Sequence, residues 1–318
     1  MSIETLLSSA DGSDRAVDLR EGAIDSIRDD ELLWIDVTGN DDDDVRIVRA
    51  ALRLDDQIAA ALGRDLDGQP DAEVHEAAVE ITLLWSDENE DEPVPVQVLA
   101  GSGWVISRHP SPLKPLEQQR ERISDQREIG MLRPVEFVVA ILGWHVDGFN
   151  AVAADLEREV DRLDEMALRG EGGLLDRLVA MRRRIAAARR IAAAHREVYA
   201  EIARPHFLPR LEDDDNALLA ELTRQLERAT GAISGVREML IGTFDVHMTR
   251  TAQRTNEIMR VLTWTSVILL PAVVVAGIMG MNFQVGLFDR PELFWIVIGF
   301  MVATAATTLL VARWRNWL

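Results

Sequence analysis

The sequence predicts an α/β (α+β) domain that faces water, a long helical stalk behind it, and two transmembrane helices at its end. Three observations lead there. Two uncharged runs, Val261 to Phe288 and Leu293 to Ala312, close the chain and are separated only by Asp289-Arg290-Pro291-Glu292. A helix needs roughly 20 mostly apolar residues to cross a bilayer, and each run is long enough. From Pro134 onward, apolar residues recur at helical spacing through most of the remaining chain. Before that point, strand-like and helix-like stretches mingle, as they do in a sheet flanked by helices. The expected parts are a cytoplasmic domain at 1–130, a long-helix bundle and stalk at 131–260, and a transmembrane part at 261–318. Within the last, the spans cover about 261–281 and 293–312, around an external loop at 282–292.

Taken in order, Leu32-Leu33-Trp34-Ile35-Asp36-Val37 is a compact apolar run that ends at Gly39-Asn40, which reads as a buried strand. Asp41 to Asp44 follow. Four successive carboxylates fit either a divalent-cation site or a helix start, where the dipole favours acids. Val45 to Leu62 is helix-like and stops at Gly63. Glu76 to Trp85 reads as a strand with Ile81, Leu83 and Trp85 on one side. Val94 to Leu99 and Trp104 to Ser107 flank Gly101-Ser102-Gly103, a hairpin signal. Between these strands lies a second acidic run, Asp87 to Glu92. It is either a solvated turn or a regulatory cation site shared with a neighbouring subunit.

Phe137 to Arg169 forms a long helix, broken by Gly170-Glu171-Gly172-Gly173. Leu174 to Ala203 forms a second, stopped by Pro205 and Pro209. Acids from Glu212 to Asp215 suit the start of a third. Nothing ends that helix before Gly280 except a kink at Pro271. At 1.5 Å per residue such a rod reaches roughly 100 Å, enough to cross a bilayer and project well beyond it.

Composition narrows the function. The formal net charge is −20, which argues against nucleic acid as a partner and fits a surface that gathers cations, or simply a soluble one. There is no cysteine, so disulfides and thiolate metal sites are out. No nucleophile–base pair, metal-ligand constellation or phosphate loop stands out, so neither an enzyme nor a bound cofactor is expected. The N-terminus lacks the basic and apolar regions of a signal peptide. Arg254 and Arg260 precede the first apolar run, and Arg313 and Arg315 follow the second. That bias puts both termini in the cytoplasm of a multi-pass protein of the cell membrane.

The third helix carries a distinctive stripe. Ala252, Asn256, Met259, Thr263, Ser266, Leu270, Val273, Gly277 and Gly280 recur at steps of four and three, with Asp245 one heptad earlier. Small and polar residues on a membrane helix serve either close helix packing or a water-filled passage. Val267, Ile268, Val274 and Val275 supply apolar side chains for lipid on other faces. Two membrane helices cannot enclose a pore, so a passage requires a closed ring of copies, a homo-oligomer.

Several stretches carry a family resemblance. Asn256-Glu257-Ile258-Met259-Arg260-Val261-Leu262-Thr263, Leu270-Pro271 and Gly277-Ile278-Met279-Gly280-Met281-Asn282-Phe283 resemble the inner helix of the CorA family of divalent-cation channels. Pro291-Glu292-Leu293 is similar to its external loop, and Trp314-Arg315 and Trp317-Leu318 to its basic, aromatic end. The resemblance is close over about the last 75 residues. It implies a CorA-like homopentameric funnel with the first membrane helix inside, and uptake of Mg²⁺, with Co²⁺ or Ni²⁺ as further ions. It also implies that Gly280, Met281 and Asn282 form the external selectivity filter. Asn282 suits that role, because an uncharged amide can accept hydrogen bonds from the water shell that Mg²⁺ sheds reluctantly. A plain helix cap is the other reading of the same residues.

Met259 with Leu262 is expected to form the hydrophobic gate, with Leu270 a further bulky position and Asp245 a carboxylate ring at the inner mouth. Glu292 either concentrates cations outside or pairs with Arg290. Regulatory Mg²⁺ is assigned to Glu221, Asp87, Glu88 and Asp91. Val273 stands where the family often has threonine, and Met279 where an aromatic residue commonly precedes the triplet. Two other readings stay open: a zinc transporter of the ZntB type, and a non-conducting membrane scaffold or sensor.

Overall fold

The computed structural model describes residues 2–9, 14–28, 31–39, 41–66, 68–85, 93–114, 116–118, 120, 133–204, 207, 213–280 and 292–314. The chain forms two compact units, Met1–Thr243 and Phe244–Leu318.

The first unit is built on a seven-stranded mixed sheet. Its strands are β1 (Ser2–Ser9), β2 (Asp14–Arg15), β3 (Glu31–Thr38), β4 (Asp71–Val74), β5 (Ala78–Trp85), β6 (Val94–Gly101) and β7 (Trp104–His109). Their spatial order is β2-β1-β3-β7-β6-β5-β4. β3 and β7 run parallel and the other neighbours antiparallel. The apolar run around Trp34 is the inner strand β3, and its first seven residues are buried. Alternation explains the double burial. Leu33, Ile35 and Val37 join Val48, Leu52, Ile58 and Leu62 in one apolar cluster. Trp34, one position out of phase, packs against Phe137, ring centroids 5.1 Å apart and planes tilted by 59°.

The helices on the first face are α1 (Asp42–Leu52) and α2 (Asp56–Leu62). One continuous helix was expected here. The break has a local cause: Arg53 adopts a left-handed conformation at φ 52°, and Asp55 then caps α2 by accepting the Ile58 N–H at 2.8 Å. The Asp41–Asp44 run is a helix start. Asp41 caps α1 by accepting the Asp43 N–H at 3.0 Å, and the other three acids occupy its first turn. The glycine-rich hairpin forms between β6 and β7, with Gly103 at φ 81° and Gly101 opposite Trp104. A Cβ on Gly101 would sit 2.4 Å from the Trp104 ring.

Three long helices follow: α3 (Pro134–Arg169), α4 (Leu174–Ile202) and α5 (Asp213–Met279). α3 is apolar enough at its start to cross a membrane by length and composition. That part is instead buried in the protein, through Phe137, Val138, Ile141 and Leu142. Gly170 at φ 71° ends α3 and Gly173 at φ 75° opens α4, so glycine supplies both left-handed corners of the turn. α5 runs through Pro271 to Met279, as expected, and α6 (Glu292–Trp314) closes the described chain.

Two buried histidines tie the sheet to α3 and α4. Leu84 on β5 lies beyond Thr82, the last β5 residue paired with β4, so the N–H and C=O that it turns to that edge meet no strand. Its backbone groups therefore bond side chains. His195 Nε2 accepts the Leu84 N–H at 2.9 Å while its Nδ1–H donates to the Ile191 carbonyl at 2.7 Å. His145 Nε2–H donates to the Leu84 carbonyl at 3.1 Å. The His195 ring must stay neutral, because Nε2 needs its lone pair to accept. Burial pushes the His195 pKa down to about 4, and burial with the neighbouring His195 pushes His145 well below its usual value. At His109 burial works in the same direction, but the hydrogen bond and charge of Asp36 outweigh it and raise the pKa.

Two outcomes follow. Gly101→Ala should destabilise the protein by about 1–3 kcal/mol, read by thermal unfolding in detergent, because a Cβ collides with Trp104. A depressed folded-state pKa means that stability is complete above the unfolded value and is lost as pH falls toward the folded one. His195 therefore withdraws up to roughly 3 kcal/mol between pH 6.5 and about 4. His195→Gln keeps an acceptor that does not protonate, so its unfolding temperature should fall less steeply over that window. Parallel curves would exclude His195 as the cause.

Candidate functional site

The second unit isolates the site. Along α5 between Trp264 and Met279, the half-buried residues are Trp264, Ile268, Pro271, Ala272, Val275 and Met279. They recur at helical spacing and mark one covered face. α6 carries a matching set at Val297, Met301, Thr304, Ala305 and Thr308. Ile268 and Val275 thus belong to a covered seam, whereas lipid contact was expected for them; Val267 and Val274 are exposed.

The stripe falls on the opposite side. Asn256, Met259, Thr263, Ser266, Leu270, Val273, Gly277 and Gly280 are all exposed within the single chain, as are Asp245 and Leu262. At 100° per residue they cluster about half a turn from the covered seam, with Leu262 one step off the line. α5 thus leaves uncovered the face that holds its polar and small residues.

Those polar residues are locally satisfied without being used up. The Thr263 hydroxyl donates to the Met259 carbonyl at 2.7 Å, and the Ser266 hydroxyl to the Leu262 carbonyl at 2.9 Å. Each hydroxyl oxygen keeps lone pairs that can accept from water on the open side. Apolar Met259, Leu262 and Leu270 interrupt the polar positions, so the face alternates between groups that hold water and groups that repel it.

Gly280 closes the last turn, its N–H donating to the Ala276 carbonyl at 2.9 Å. Met281 and Asn282 lie outside the described residues, as do Asp87, Glu88 and Asp91. Glu292 is exposed in the first turn of α6, where the helix dipole favours an acid. Glu221, on α5 in the first unit, is already engaged. Oε2 accepts from Arg224 at 2.7 Å, and Oε1 from Arg228 at 2.8 Å and Gln225 at 3.3 Å. Those bonds hold its carboxyl down to about 2, Arg228 first, then Arg224 and Gln225. A cation on Glu221 would have to displace two guanidinium groups.

One cluster was not anticipated. Glu73, His75 and Glu80 bring ligand atoms within 4.8 Å of one another, where the sequence had shown no metal-ligand constellation. The signal was a His five residues before a Glu, readable only once β4 and β5 are known to pair.

Comparison with known proteins agrees with this architecture. The family model described as CorA-like Mg²⁺ transporter protein matches residues 29–313. The chain is 26% identical over 206 residues to the cobalt/magnesium transport protein CorA of Thermotoga maritima, covering 63% of this chain and 57% of that protein. It is 23% identical over 207 residues to the protein of the same name from Methanocaldococcus jannaschii, covering 64% and 63%. The chain thus matches less than two thirds of the length of either relative. Among solved structures, the complete structure of the CorA magnesium transporter from Methanocaldococcus jannaschii is similar with a TM-score of 0.84 at 20% identity, over 100% of both chains. At that identity the likeness establishes the fold.

Because the protein has no cysteine of its own, single cysteines can test the open face. Cysteine at Thr263 or Ser266 should react with a charged, water-soluble thiol reagent in reconstituted protein. Cysteine at Val302 or Leu310 on α6 should not. Equal reactivity at both sets, or none along the stripe, would mean that the stripe meets no water.

Proposed function

The chain belongs to the CorA-like Mg²⁺ transporter family, and from that premise we propose that it is a passive, gated channel for Mg²⁺ uptake, with Co²⁺ and Ni²⁺ as further cargo. The observation that carries the reading is the exposed polar stripe of α5, set opposite the seam covered within its own chain. A membrane helix gains nothing by offering Thr263 and Ser266 to lipid. Copies arranged in a ring, five by the rule of the family, turn those faces onto a common axis and leave α6 outside. Both termini and the N-terminal unit lie in the cytoplasm, and residues 282–292 face outward.

Asn282 offers the external entrance an uncharged amide oxygen. A carboxylate ring would hold Mg²⁺ tightly and slow its release. An amide ring bonds the water shell instead, attracting the ion without stripping it. Met259 and Leu262 form a constriction that closes by dewetting. Asp245 adds a carboxylate ring at the inner mouth, and Glu292 raises cation concentration outside. An inside-negative potential drives entry, worth roughly 2.3 kcal/mol per charge per 100 mV and twice that for a divalent ion. Mg²⁺ bound to cytoplasmic acids, among Glu221, Asp87, Glu88 and Asp91, holds the ring shut when the ion is plentiful. At Glu221 that requires Arg224 and Arg228 to move aside.

Flux into liposomes under an inside-negative potential tests the proposal. The intact protein should admit Mg²⁺, and Asn282→Ala should reduce that flux and alter the order among Mg²⁺, Co²⁺ and Zn²⁺. Unchanged flux and order in Asn282→Ala would remove the filter assignment. No flux from the intact protein would leave a membrane scaffold.

A further inference from the structure

The β4–β5 hairpin brings together titratable groups that the transport reading does not use. Register places Glu73 directly opposite Glu80. Like charges facing across strands are destabilising. Glu80 is also 6% exposed, so its carboxylate needs partners. It has three. His75, 8% exposed, places Nε2 2.9 Å from Oε2. Arg64 approaches Oε2 at 3.5 Å and Glu73 at 3.6 Å. Gln97 on β6 donates its amide to Oε1 at 2.6 Å.

Gln97 supplies an independent sign of a missing ligand. It is 1% exposed, and its Nε2 also donates to the Ala61 carbonyl at 2.9 Å. Two acceptors on one nitrogen fix the orientation of the amide. Its Oε1 is then buried with no hydrogen-bond partner among the described residues. A buried oxygen with unmet lone pairs costs stability until a donor or a cation arrives. Gln97, Glu73, Glu80 and Arg64 line one open cavity of about 300 Å³, which reaches both carboxylates of the cluster but not His75. It leaves room on the carboxylate side for an ion's remaining waters.

We propose that Glu73, His75 and Glu80 bind a divalent first-row transition-metal ion of the Zn²⁺ or Co²⁺ class, with Gln97 Oε1 as a further oxygen donor, directly or through a metal-bound water. The donor set decides the class. An imidazole nitrogen beside carboxylates suits Zn²⁺, Co²⁺ or Ni²⁺, whereas Mg²⁺ prefers oxygen and retained water. Arg64 serves as counter-charge while the ion is away. Its side chain is 55% exposed, so it can swing into solvent as the ion takes its place between the two glutamates. Glu73, the exposed ligand, completes the shell last. This site lies wholly within the first unit and does not depend on the transport reading.

Full-length protein in detergent, stripped with chelator, should take up one Co²⁺ per chain with visible ligand-field absorption. Zn²⁺ should displace that Co²⁺, and a large excess of Mg²⁺ should not. His75→Gln and Glu73→Gln should each weaken binding about tenfold or more. Their metal-free unfolding temperatures should stay near that of the parent. Asn282→Ala should keep the signal, which separates this site from any ion held in the pore. Absence of the absorption in the intact protein, or an unchanged spectrum and affinity in His75→Gln, would overturn the proposal.

Discussion

A helix in hydrocarbon can leave a face uncovered only if that face is apolar or if something other than lipid will meet it. α5 puts this constraint plainly. From Trp264 to Met279 its covered residues form a single seam. The side left open carries Thr263, Ser266 and Gly277, set between Met259, Leu270 and Val273. The hydroxyls bond backward to their own helix, which lowers the cost of crossing the bilayer. Their remaining lone pairs still have no use in lipid. Packing of copies alone would satisfy the small residues. It would not account for Asn256 and Asp245, which extend the same line beyond the apolar stretch, toward the first unit's end of the helix.

The first unit solves a different problem with similar means. Its sheet is wide, and two-sided cover demands that strand ends be closed by something other than strands. β4 begins at Asp71, opposite Thr82, and leaves the edge groups of Leu84 without a strand partner. His145 and His195 reach in from α3 and α4 and close both groups of Leu84. The bond to His195 requires a neutral ring, so the junction between sheet and helices carries its own sensitivity to acid. Elsewhere the sheet keeps a buried polar line: Trp34 Nε1–H donates to Ser107 Oγ at 2.9 Å, and Ser107 to Asp36. Satisfied polar chains of this kind fix strand register more sharply than apolar contacts do.

The helices and the inner strands were legible because their signals are local and repeated. β3, the β6–β7 hairpin, the glycine break between α3 and α4, and the unbroken course of α5 through Pro271 can all be read from spacing and turn residues. β1 and β4 were not read, although Ile3, Thr5 and Leu7 alternate along β1. β1 pairs with β3 across a long connection, and β4 is a four-residue edge strand without apolar alternation, paired to β5. The split between α1 and α2 rests on one residue, Arg53, in a conformation that arginine seldom adopts. At the site, the stripe was visible as a period, but which side of α5 the chain covers was not. Ile268 and Val275 changed sides for that reason. The Glu73–His75–Glu80 cluster was invisible because it exists only through register, and its fourth donor comes from another strand.

The two cation environments differ in what they ask of an ion's water. Amide and hydroxyl oxygens spread around an axis can bond the shell and leave the ion inside it, so they favour a small, hard ion that holds its water and keeps moving. An imidazole between two carboxylates, with a buried amide oxygen beside it, must touch the ion itself. It rewards one that exchanges water readily and accepts nitrogen. On the two proposals, α5 passes a hydrated ion and the sheet retains one that it dehydrates. The hairpin selects through its nitrogen ligand, while the open face of α5, which offers no group worth dehydrating for, passes hydrated ions of either kind.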